Sequence, residues 1–388
     1  MSKHAIDHLV IGGGLAGSMV AMRLAAAGLS VTLVEKERAA HHKVCGEFLS
    51  REAVDYLRQA GIDPLALGAE TISIVRLSSK NRTAEAALPF TALSLSRCVL
   101  DEAMLARAAE CGCEVRRGVF VENLAARGNG WSVQLRDHES LFARTAFLAN
   151  GKHDLRGWNR GPSPQGDLIG FKLHWRLTPI QTDALRDRME LFLFSGGYGG
   201  LALVEGGVAN FCLVVRRNQF QKLGGWIELL TDILDDNRHM RRLLKCATPL
   251  WDRPQAISSI PYGYLAGQPS GVWCVGDQAA VIPSFTGDGM SIALHSAALA
   301  VQFFLAGETA AAYHRRLHAQ IGPAMRLAMW FSRALVTRAG RILAPSALGL
   351  YPGAMRWVAA STRIPEQALL VEPATGPPNT TKFVVGRG

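Results

Sequence analysis

The chain has 388 residues, of which 48% are hydrophobic and 19% are charged, a composition that excludes a disordered protein. Its length allows two or three lobes with large cores, and its longest apolar runs are far shorter than the roughly 20 residues of a membrane-spanning helix. The first residues lack the basic and apolar regions of a secretory signal, so we expect a cytoplasmic protein without a membrane span.

The net charge of +10 is concentrated near the C-terminus, where residues 301–388 hold ten Lys and Arg against three Glu. The arginines alternate with Ala, Leu, Met and Trp at roughly helical spacing, without a nucleic-acid-binding motif, so we expect no nucleic-acid partner. Two interpretations stay open. The arginines form either the solvated face of late helices or a surface for an anionic partner, which would be an acidic carrier protein or the headgroups of a membrane.

The seven cysteines show neither a paired framework nor a repeated C-x-x-C spacing. We therefore expect reduced thiols and no bound metal.

The first 156 residues predict alternating strands and helices. Residues 7–35 indicate a strand, a glycine turn, a helix and a second strand, which together form a βαβ unit. Further elements are predicted as helices over 51–59 and 97–111 and strands over 71–79, 114–121, 131–135 and 145–148. This alternation is typical of a Rossmann-type dinucleotide-binding domain.

The pattern changes after a segment rich in Gly, Pro and Ser at 157–166. Four strands then follow one another without intervening helices, which predicts an antiparallel sheet. They cover 169–176, 190–194, 200–204 and 208–215. After two helices, the chain returns to a buried strand over 272–275 and an apolar helix over 290–305, so the first domain would be discontinuous.

We therefore predict an α/β protein in four segments. The dinucleotide-binding domain would comprise 1–165 and 266–310, and a substrate domain with a mainly antiparallel sheet would be inserted at 166–265. Residues 311–388 would form a helical region with an irregular tail after Pro365.

Three glycines open the first helix in the pattern G-x-G-x-x-G, directly after a strand. Gly12 fits the tight turn, Gly14 lets a pyrophosphate approach the backbone, and Gly17 allows close packing of the helix on the strand. The helix N-terminus offers unpaired N–H groups to the anion. Glu35 ends the second strand, where a carboxylate can accept ribose hydroxyls. The complete unit predicts a bound dinucleotide.

A second glycine-rich turn follows the strand over 272–275. It contains Gly276 and Asp277, then Pro283, and then the run 287–290. A carboxylate at a strand end can bind a polyol, and a turn that opens a helix can aim N–H groups at a delocalised anion. With these motifs the chain resembles FAD-dependent oxidoreductases of the aromatic-hydroxylase and geranylgeranyl-reductase superfamily.

The resemblance implies a bound FAD. Asp277 would bind its ribityl chain, Arg97 its phosphates or ribityl chain, and the backbone of 287–290 would lie near the flavin pyrimidine edge. Asn150 stands where NADPH-driven hydroxylases usually have Asp, which weakens the case for direct NADPH handling. Reducing equivalents would come from transiently bound NAD(P)H, a separate reductase or the substrate. The candidate FAD residues are Gly12, Gly14, Leu15, Ala16, Gly17, Glu35, Lys36, Cys45, Gly46, Arg97, Asn150, Gly151, Gly276, Asp277, Pro283, Gly287, Asp288, Gly289 and Met290.

The loop after the βαβ unit, residues 43–48 with the sequence KVCGEF, runs beside the flavin ring in related proteins. It resembles the Cys-Gly loop of geranylgeranyl reductases or the Gly-Glu loop of flavin-dependent halogenases. Cys45 would be a proton donor, a redox thiol or a small packing residue. The halogenase signature W-x-W-x-I-P is absent, and Lys80 does not match the halogenase lysine.

The middle segment would give the sheet an aromatic face that forms the wall of a substrate cavity over the flavin. Its members are Phe171, His174, Trp175, Phe192, Phe194, Tyr198, Phe211 and Tyr262. As candidate catalytic residues we name Cys45, Glu47, His174 and Tyr198.

Several reactions fit one flavin scaffold. The first hypothesis is a monooxygenase of secondary metabolism that hydroxylates or epoxidises a hydrophobic aromatic or polyketide-like substrate through a flavin C4a-hydroperoxide. The second is a reductase or dehydrogenase of carbon–carbon double bonds, which Cys45, Gly46 and Asn150 favour. A halogenase and a flavin-binding docking protein without turnover are minor alternatives.

Overall fold

The structure is a computed structural model that describes residues 5–370 other than 137, 162, 268–270 and 352. Its strands, in chain order, are β1 (Ala5–Ile11), β2 (Val31–Glu35), β3 (Phe48–Leu49), β4 (Glu70–Ser79), β5 (Arg82–Ser94), β6 (Glu114–Arg117), β7 (Val121–Arg127), β8 (Gly130–Leu135), β9 (Ser140–Leu148), β10 (Leu168–Arg176), β11 (Asp187–Phe194), β12 (Gly197–Val204), β13 (Val208–Arg216), β14 (Thr248–Pro249), β15 (Gln255–Ser258), β16 (Tyr264–Leu265), β17 (Trp273–Cys274) and β18 (Ala280–Val281). Its α-helices are α1 (Leu15–Ala26), α2 (Arg51–Gln59), α3 (Arg97–Glu110), α4 (Pro179–Leu185), α5 (Arg217–Leu223), α6 (Trp226–Asp236), α7 (Arg238–Leu244), α8 (Gly289–Leu305), α9 (Ala310–Leu335), α10 (Arg338–Leu350) and α11 (Gly353–Ser361).

The first sheet has seven strands and contains the predicted βαβ unit. Six of them run in the order β6-β2-β1-β9-β8-β7, and β17 pairs with β9. β1 is parallel to both β2 and β9, and its buried Leu9 and Val10 share one core with the apolar side of α1. β17 belongs to this first sheet, although all strands of the second sheet precede it in the sequence. The predicted discontinuous Rossmann-type domain is therefore confirmed.

The second sheet has nine strands in the order β14-β10-β13-β12-β11-β4-β5-β3, with β15 beside β10. Its pairs are antiparallel except β11 with β4, as expected for a mainly antiparallel sheet. The hairpin β4–β5 lies ahead of the predicted boundary at residue 165 and still joins this sheet. The reason is that the hairpin leaves the backbone N–H and C=O groups on one edge of β4 unpaired, and β11 pairs with that edge.

The two faces of the second sheet differ, because side chains alternate across a strand. Five of its aromatic residues pack in a closed core under α6 and α7: Phe171, Trp175, Phe192, Phe194 and Phe211. His174 and Tyr198 lie on the opposite face, together with Lys172 and Asn210. The predicted aromatic cavity wall is therefore wrong for these five rings, which stabilise the sheet from behind.

Four helices complete the fold. α8 packs against α1 and α9, whereas α10 and α11 cover β5. After α11, the guanidinium of Arg363 donates hydrogen bonds to Glu52 and Asp288 at 3.0 Å each, which ties the C-terminal region to the first domain. Within the described part of the chain, no helix is long and apolar enough to cross a bilayer. In the predicted irregular tail after Pro365, Glu366–Ala368 form a short 3₁₀ helix, and the part beyond Leu370 lies outside the described residues.

Buried His314 in α9 should make stability depend on pH. It is 1% exposed, and burial together with nearby His318 lowers its pKa from 6.5 to about 4. As the pH falls below 6.5, His314 becomes protonated in the unfolded chain but stays neutral in the folded chain, so the free energy of unfolding decreases. We expect this residue to cost about 2 kcal/mol between pH 7 and pH 5.

The substitution His314→Leu should remove that loss, as measured by urea unfolding at both pH values. The exposed His138 provides the control His138→Asn, which should keep the wild-type pH dependence. An unchanged pH dependence in His314→Leu would contradict the assignment.

Candidate functional site

The glycine turn between β1 and α1 has the close packing that its sequence predicts. Gly12 has a φ of 108°, and a Cβ there would lie 2.5 Å from the carbonyl oxygen of Ala149. A Cβ on Gly17 would lie 1.9 Å from the carbonyl oxygen of Gly12, so only glycine fits at both positions. Because the N-cap residue of α1 is Gly14, no capping side chain covers the first N–H groups of the helix.

The carboxylate of Glu35 lies at the end of β2, beside this turn. It is buried and accepts hydrogen bonds from the N–H groups of Gly13 at 2.6 Å and Glu37 at 3.0 Å. These bonds fix the carboxylate where ribose binding is predicted. Lys36 is exposed and lies 3.8 Å from the Glu37 carboxylate, so its side chain is directed to solvent.

Two cations face the glycine turn. The Cβ position of Gly14 lies 3.5 Å from Arg97 Nη2 and 3.6 Å from Lys43 Nζ. Both cations bind the carboxylate of Asp101, Arg97 at 2.8 and 3.0 Å and Lys43 at 2.7 Å. Burial lowers the pKa of Arg97, but the charge and hydrogen bonds of Asp101, together with other nearby acidic groups such as Asp277, outweigh burial and raise this pKa above its usual range. Two fixed positive charges beside a helix N-terminus suit a diphosphate.

The other two predicted FAD turns lie at the ends of the neighbouring strands. Asn150 follows β9, and Asp277 follows β17, where it interacts electrostatically with Arg97. Asn150 Nδ2 donates a hydrogen bond to the carbonyl of His153 at 2.5 Å, whereas its buried Oδ1 has no partner among the described residues. That oxygen is free to accept a hydrogen bond from a ligand.

The turn before α8 borders the site on another side. Gly287 has a φ of 74°, and a Cβ there would lie 2.5 Å from the ring of Phe48. A Cβ on Gly289 would meet nothing within 4 Å, so the start of α8 faces open space. The side chain of Asp288 is buried against Arg363, and burial raises its pKa to about 7. The open backbone beside Gly289 suits the edge of a flavin.

These positions fit FAD at its ribose, phosphate and ring ends. Leu15, Ala16 and Met290 are buried, so they would contact FAD through their backbone. A Cβ on Gly276 would lie 2.9 Å from the Cβ of Ala16, which shows how closely the second turn packs on α1. The residues that would hold FAD are Glu35 at the ribose, Gly14, Arg97 and Lys43 at the phosphates, Asp277 at the ribityl chain and Gly289 at the ring.

The loop 43–48 is held rigidly against the second sheet. Asn210 Nδ2 donates a hydrogen bond to the carbonyl of Cys45 at 3.1 Å, and the N–H of Glu47 lies 3.4 Å from Cys45 Sγ. Glu47 has a φ of 58°, a strained value for a residue with a side chain. Gly46 faces open space, since a Cβ there would meet nothing within 4 Å. The loop therefore presents Cys45 and Gly46 in one fixed conformation.

Glu47 is the centre of a buried group that we call the Glu47 cluster, which comprises Glu47, Lys172, His174 and His42. The fully buried carboxylate of Glu47 accepts hydrogen bonds from Lys172 Nζ, from the N–H of Arg97 at 2.8 Å and, at 3.1 Å, from His174 Nε2. Burial alone would raise the pKa of Glu47, but His174 and Lys172 more than offset it and hold this pKa below its ordinary value. Burial lowers the pKa of His42 to about 4, so His42 is neutral at pH 7.

The ligand atoms of His42, Glu47 and His174 lie within 4.8 Å of one another, which is close enough to bind a metal. The ammonium of Lys172, which binds the same carboxylate, opposes a second cation there. We therefore regard the cluster as an ion-paired network, and the absence of a metal stays a prediction.

Tyr198 lies apart from the Glu47 cluster, beside the turn before α8. Its hydroxyl accepts a hydrogen bond from Ser284 Oγ at 3.4 Å, and Ser284 accepts one from Tyr262 at 2.7 Å. Burial raises the pKa of both tyrosines, so both phenols stay protonated at pH 7. The structure thus brings Cys45, Glu47 and His174 together and places Tyr198 in a second polar network.

Comparison with known proteins agrees with this geometry. Residues 5–145 match the family described as FAD binding domain. Digeranylgeranylglycerophospholipid reductase 2 of Methanopyrus kandleri is 26% identical over 306 residues, which cover 74% of this chain and 74% of the relative. The probable electron transfer flavoprotein-quinone oxidoreductase YdiS of Escherichia coli is 25% identical over 344 residues, 79% of this chain and 78% of the relative. The chain belongs to the FAD-dependent oxidoreductase superfamily.

The fold of this FAD-dependent oxidoreductase is also that of a halogenase. The myxobacterial chondrochloren halogenase CndH has a TM-score of 0.74 and 18% identity, over 93% of this chain and 91% of the halogenase. This likeness concerns the fold alone. Lys80 is exposed in the turn between β4 and β5, with a φ of 54°.

The sequence did not identify four residues of this oxidoreductase that the structure places at the site, which are Lys43, Lys172, Asp101 and His42. Lys172 stands two residues before His174 in an otherwise apolar strand, and this spacing puts both on one face. Asp101 stands four residues after Arg97 in α3, the spacing of a helical ion pair. His42 gave no such signal, because its neighbours come from distant segments.

Proposed function

We propose that this FAD-dependent oxidoreductase is a reductase or dehydrogenase of carbon–carbon double bonds in a hydrophobic isoprenoid or acyl substrate. The observation that carries the proposal is the fixed position of Cys45, in a loop bonded to the second sheet and to the Glu47 cluster. A positioned thiol is suited to deliver a proton to carbon. The name of the Methanopyrus relative and the uncharged Asn150 support the same reaction class.

When bound in its reduced form, FAD would supply the hydride that reduces the double bond, and in its oxidised form it would accept a hydride in the reverse direction. The protein itself would supply the proton. Cys45 would donate its thiol proton to one substrate carbon while the other receives the hydride, and the resulting thiolate would be reprotonated by solvent. The N–H of Glu47 lies 3.4 Å from Cys45 Sγ and holds the sulfur in place.

The substitution Cys45→Ser tests the proposal, because a hydroxyl is a far weaker acid than a thiol. We expect the anaerobic reduction of geranylgeraniol by the pre-reduced enzyme to slow roughly a hundredfold, within the range of general acid catalysis. FAD affinity should stay unchanged. Flavin absorbance follows the reaction, and mass spectrometry detects the two added hydrogens.

The control is Cys111→Ser, since Cys111 is a partly exposed cysteine at the far end of α3. It should react like the wild type. Wild-type rates in Cys45→Ser would contradict the role of Cys45, whereas failure of the wild type to reduce any alkene without O₂ would contradict the reaction class.

The second candidate is a monooxygenase of a phenolic or polyketide-like substrate. The observation that favours it is the hydrogen-bonded chain Tyr198, Ser284 and Tyr262, which could carry the proton of a phenol. This reaction would require O₂, place labelled oxygen in the product, and be slowed by Tyr198→Phe but little by Cys45→Ser. In both cases, we propose transiently bound NAD(P)H or a separate reductase as the electron source.

A further inference from the structure

The last three helices, together with Tyr351 between α10 and α11, expose an unusual combination of side chains. Large apolar side chains there reach solvent: Trp330 is 64% exposed, Leu343 63%, Tyr351 69% and Trp357 56%. Exposed arginines stand among them, at Arg326, Arg333, Arg338 and Arg356. We call these eight residues the basic aromatic face.

The face follows from the helical spacing. In α9, Arg326, Trp330 and Arg333 are separated by four and three residues, so they form one stripe. The exposed residues continue into α10, which packs on α9 and begins at Arg338. The exposed stripes therefore follow each other across the turn between the two helices.

The charge of this face is not balanced from within the described protein. Residues 309–365 contain no Asp or Glu. Two arginines of this stretch bind acids of other segments, Arg341 with Asp236 at 2.8 Å and Arg363 with Asp288 at 3.0 Å. Among the described residues, Arg326, Arg338 and Arg356 form no such ion pair. Their unpaired positive charges would attract an anionic partner.

We propose that the basic aromatic face docks on the surface of an anionic lipid bilayer. Tryptophan and tyrosine rings prefer the headgroup layer, because one end is apolar and the other is polar. Arginines at the same level bind lipid phosphates. An acidic protein would satisfy the arginines but would not require four large exposed apolar side chains, so the bilayer is the partner that uses both components.

Vesicle co-sedimentation of the full-length, FAD-loaded protein tests this proposal. We expect binding to phosphatidylcholine vesicles with 30% phosphatidylglycerol, much weaker binding to pure phosphatidylcholine, and release by 0.5 M NaCl. The triple variant Arg326→Gln, Arg338→Gln and Arg356→Gln should bind roughly a hundredfold more weakly, at about fivefold per arginine. The double variant Trp330→Ser and Trp357→Ser should also lose binding.

The matched control is Ile180→Ser with Ile227→Ser, which removes exposed apolar side chains outside this face (84% and 67% exposed). It should bind as the wild type does. Equal binding to both vesicle types, loss of binding in the control, or binding to polyglutamate without binding to vesicles would overturn the proposal. The salt and lipid dependence of the wild type decides the matter even where a variant fails to fold.

Discussion

Lys172→Met should lower the free energy of unfolding by about 3–5 kcal/mol, the usual cost of breaking a buried ion pair from one side. Both side chains of the Lys172–Glu47 pair are fully buried. Methionine fills a similar volume, so the loss reports the charge that remains on Glu47. Urea unfolding of the protein without added FAD gives the value.

The partner variant separates the ion pair from simple packing. Glu47→Gln leaves Lys172 buried without its counter-charge and should cost a similar amount, whereas the double variant should recover much of the loss. The exposed pair Arg186 with Asp183 provides the control, and Arg186→Met should cost less than about 1 kcal/mol. A wild-type urea midpoint in Lys172→Met would show that the pair is not enclosed.

Lys172→Met should also weaken the binding of FAD. The carboxylate of Glu47 accepts a hydrogen bond from the backbone N–H of Arg97, and the side chain of Arg97 faces the glycine turn. A shift of Glu47 would therefore move both the Cys45 loop and a cation of the phosphate site.

The FAD elements could be predicted from the sequence because their requirements are local. Gly17 is needed for a close contact with Gly12 within one turn, Gly12 has the positive φ of that turn, and Glu35 stands at the end of the adjacent strand. The Glu47 cluster could not be predicted in this way. Lys172 and Glu47 are 125 residues apart, and they meet only because the loop 43–48 packs on one face of β10.

The second sheet shows a different limit. Alternation in the strands separates the odd-numbered Phe171 and Trp175 from Lys172 and His174, so the existence of two faces is visible in the sequence. Which face meets the cofactor depends on where α6 and α7 pack, and this is decided by tertiary structure. The expected aromatic wall failed for that reason.

Gly14→Val should abolish FAD retention and leave the fold intact. Gly14 has φ −77° and ψ −176°, values that any residue adopts, and a Cβ there makes ordinary contacts at 3.5 and 3.6 Å with Arg97 and Lys43. The added methyl groups would occupy the space between these cations and the N-terminus of α1, where the diphosphate is expected. Each charge-assisted hydrogen bond that is lost would weaken binding roughly ten- to a hundredfold.

Fluorescence titration of the FAD-free protein with FAD measures this loss, and thermal unfolding without FAD verifies the fold. Gly322→Ala is the matched control, since its Cβ would lie 3.5 Å from Arg326 Nη1 in α9, outside the FAD site. Gly17→Val marks the opposite limit: its Cβ would lie 1.9 Å from a backbone oxygen, so that chain should not fold. Wild-type FAD affinity in Gly14→Val would place the phosphates elsewhere, because no diphosphate can share this space with a valine side chain.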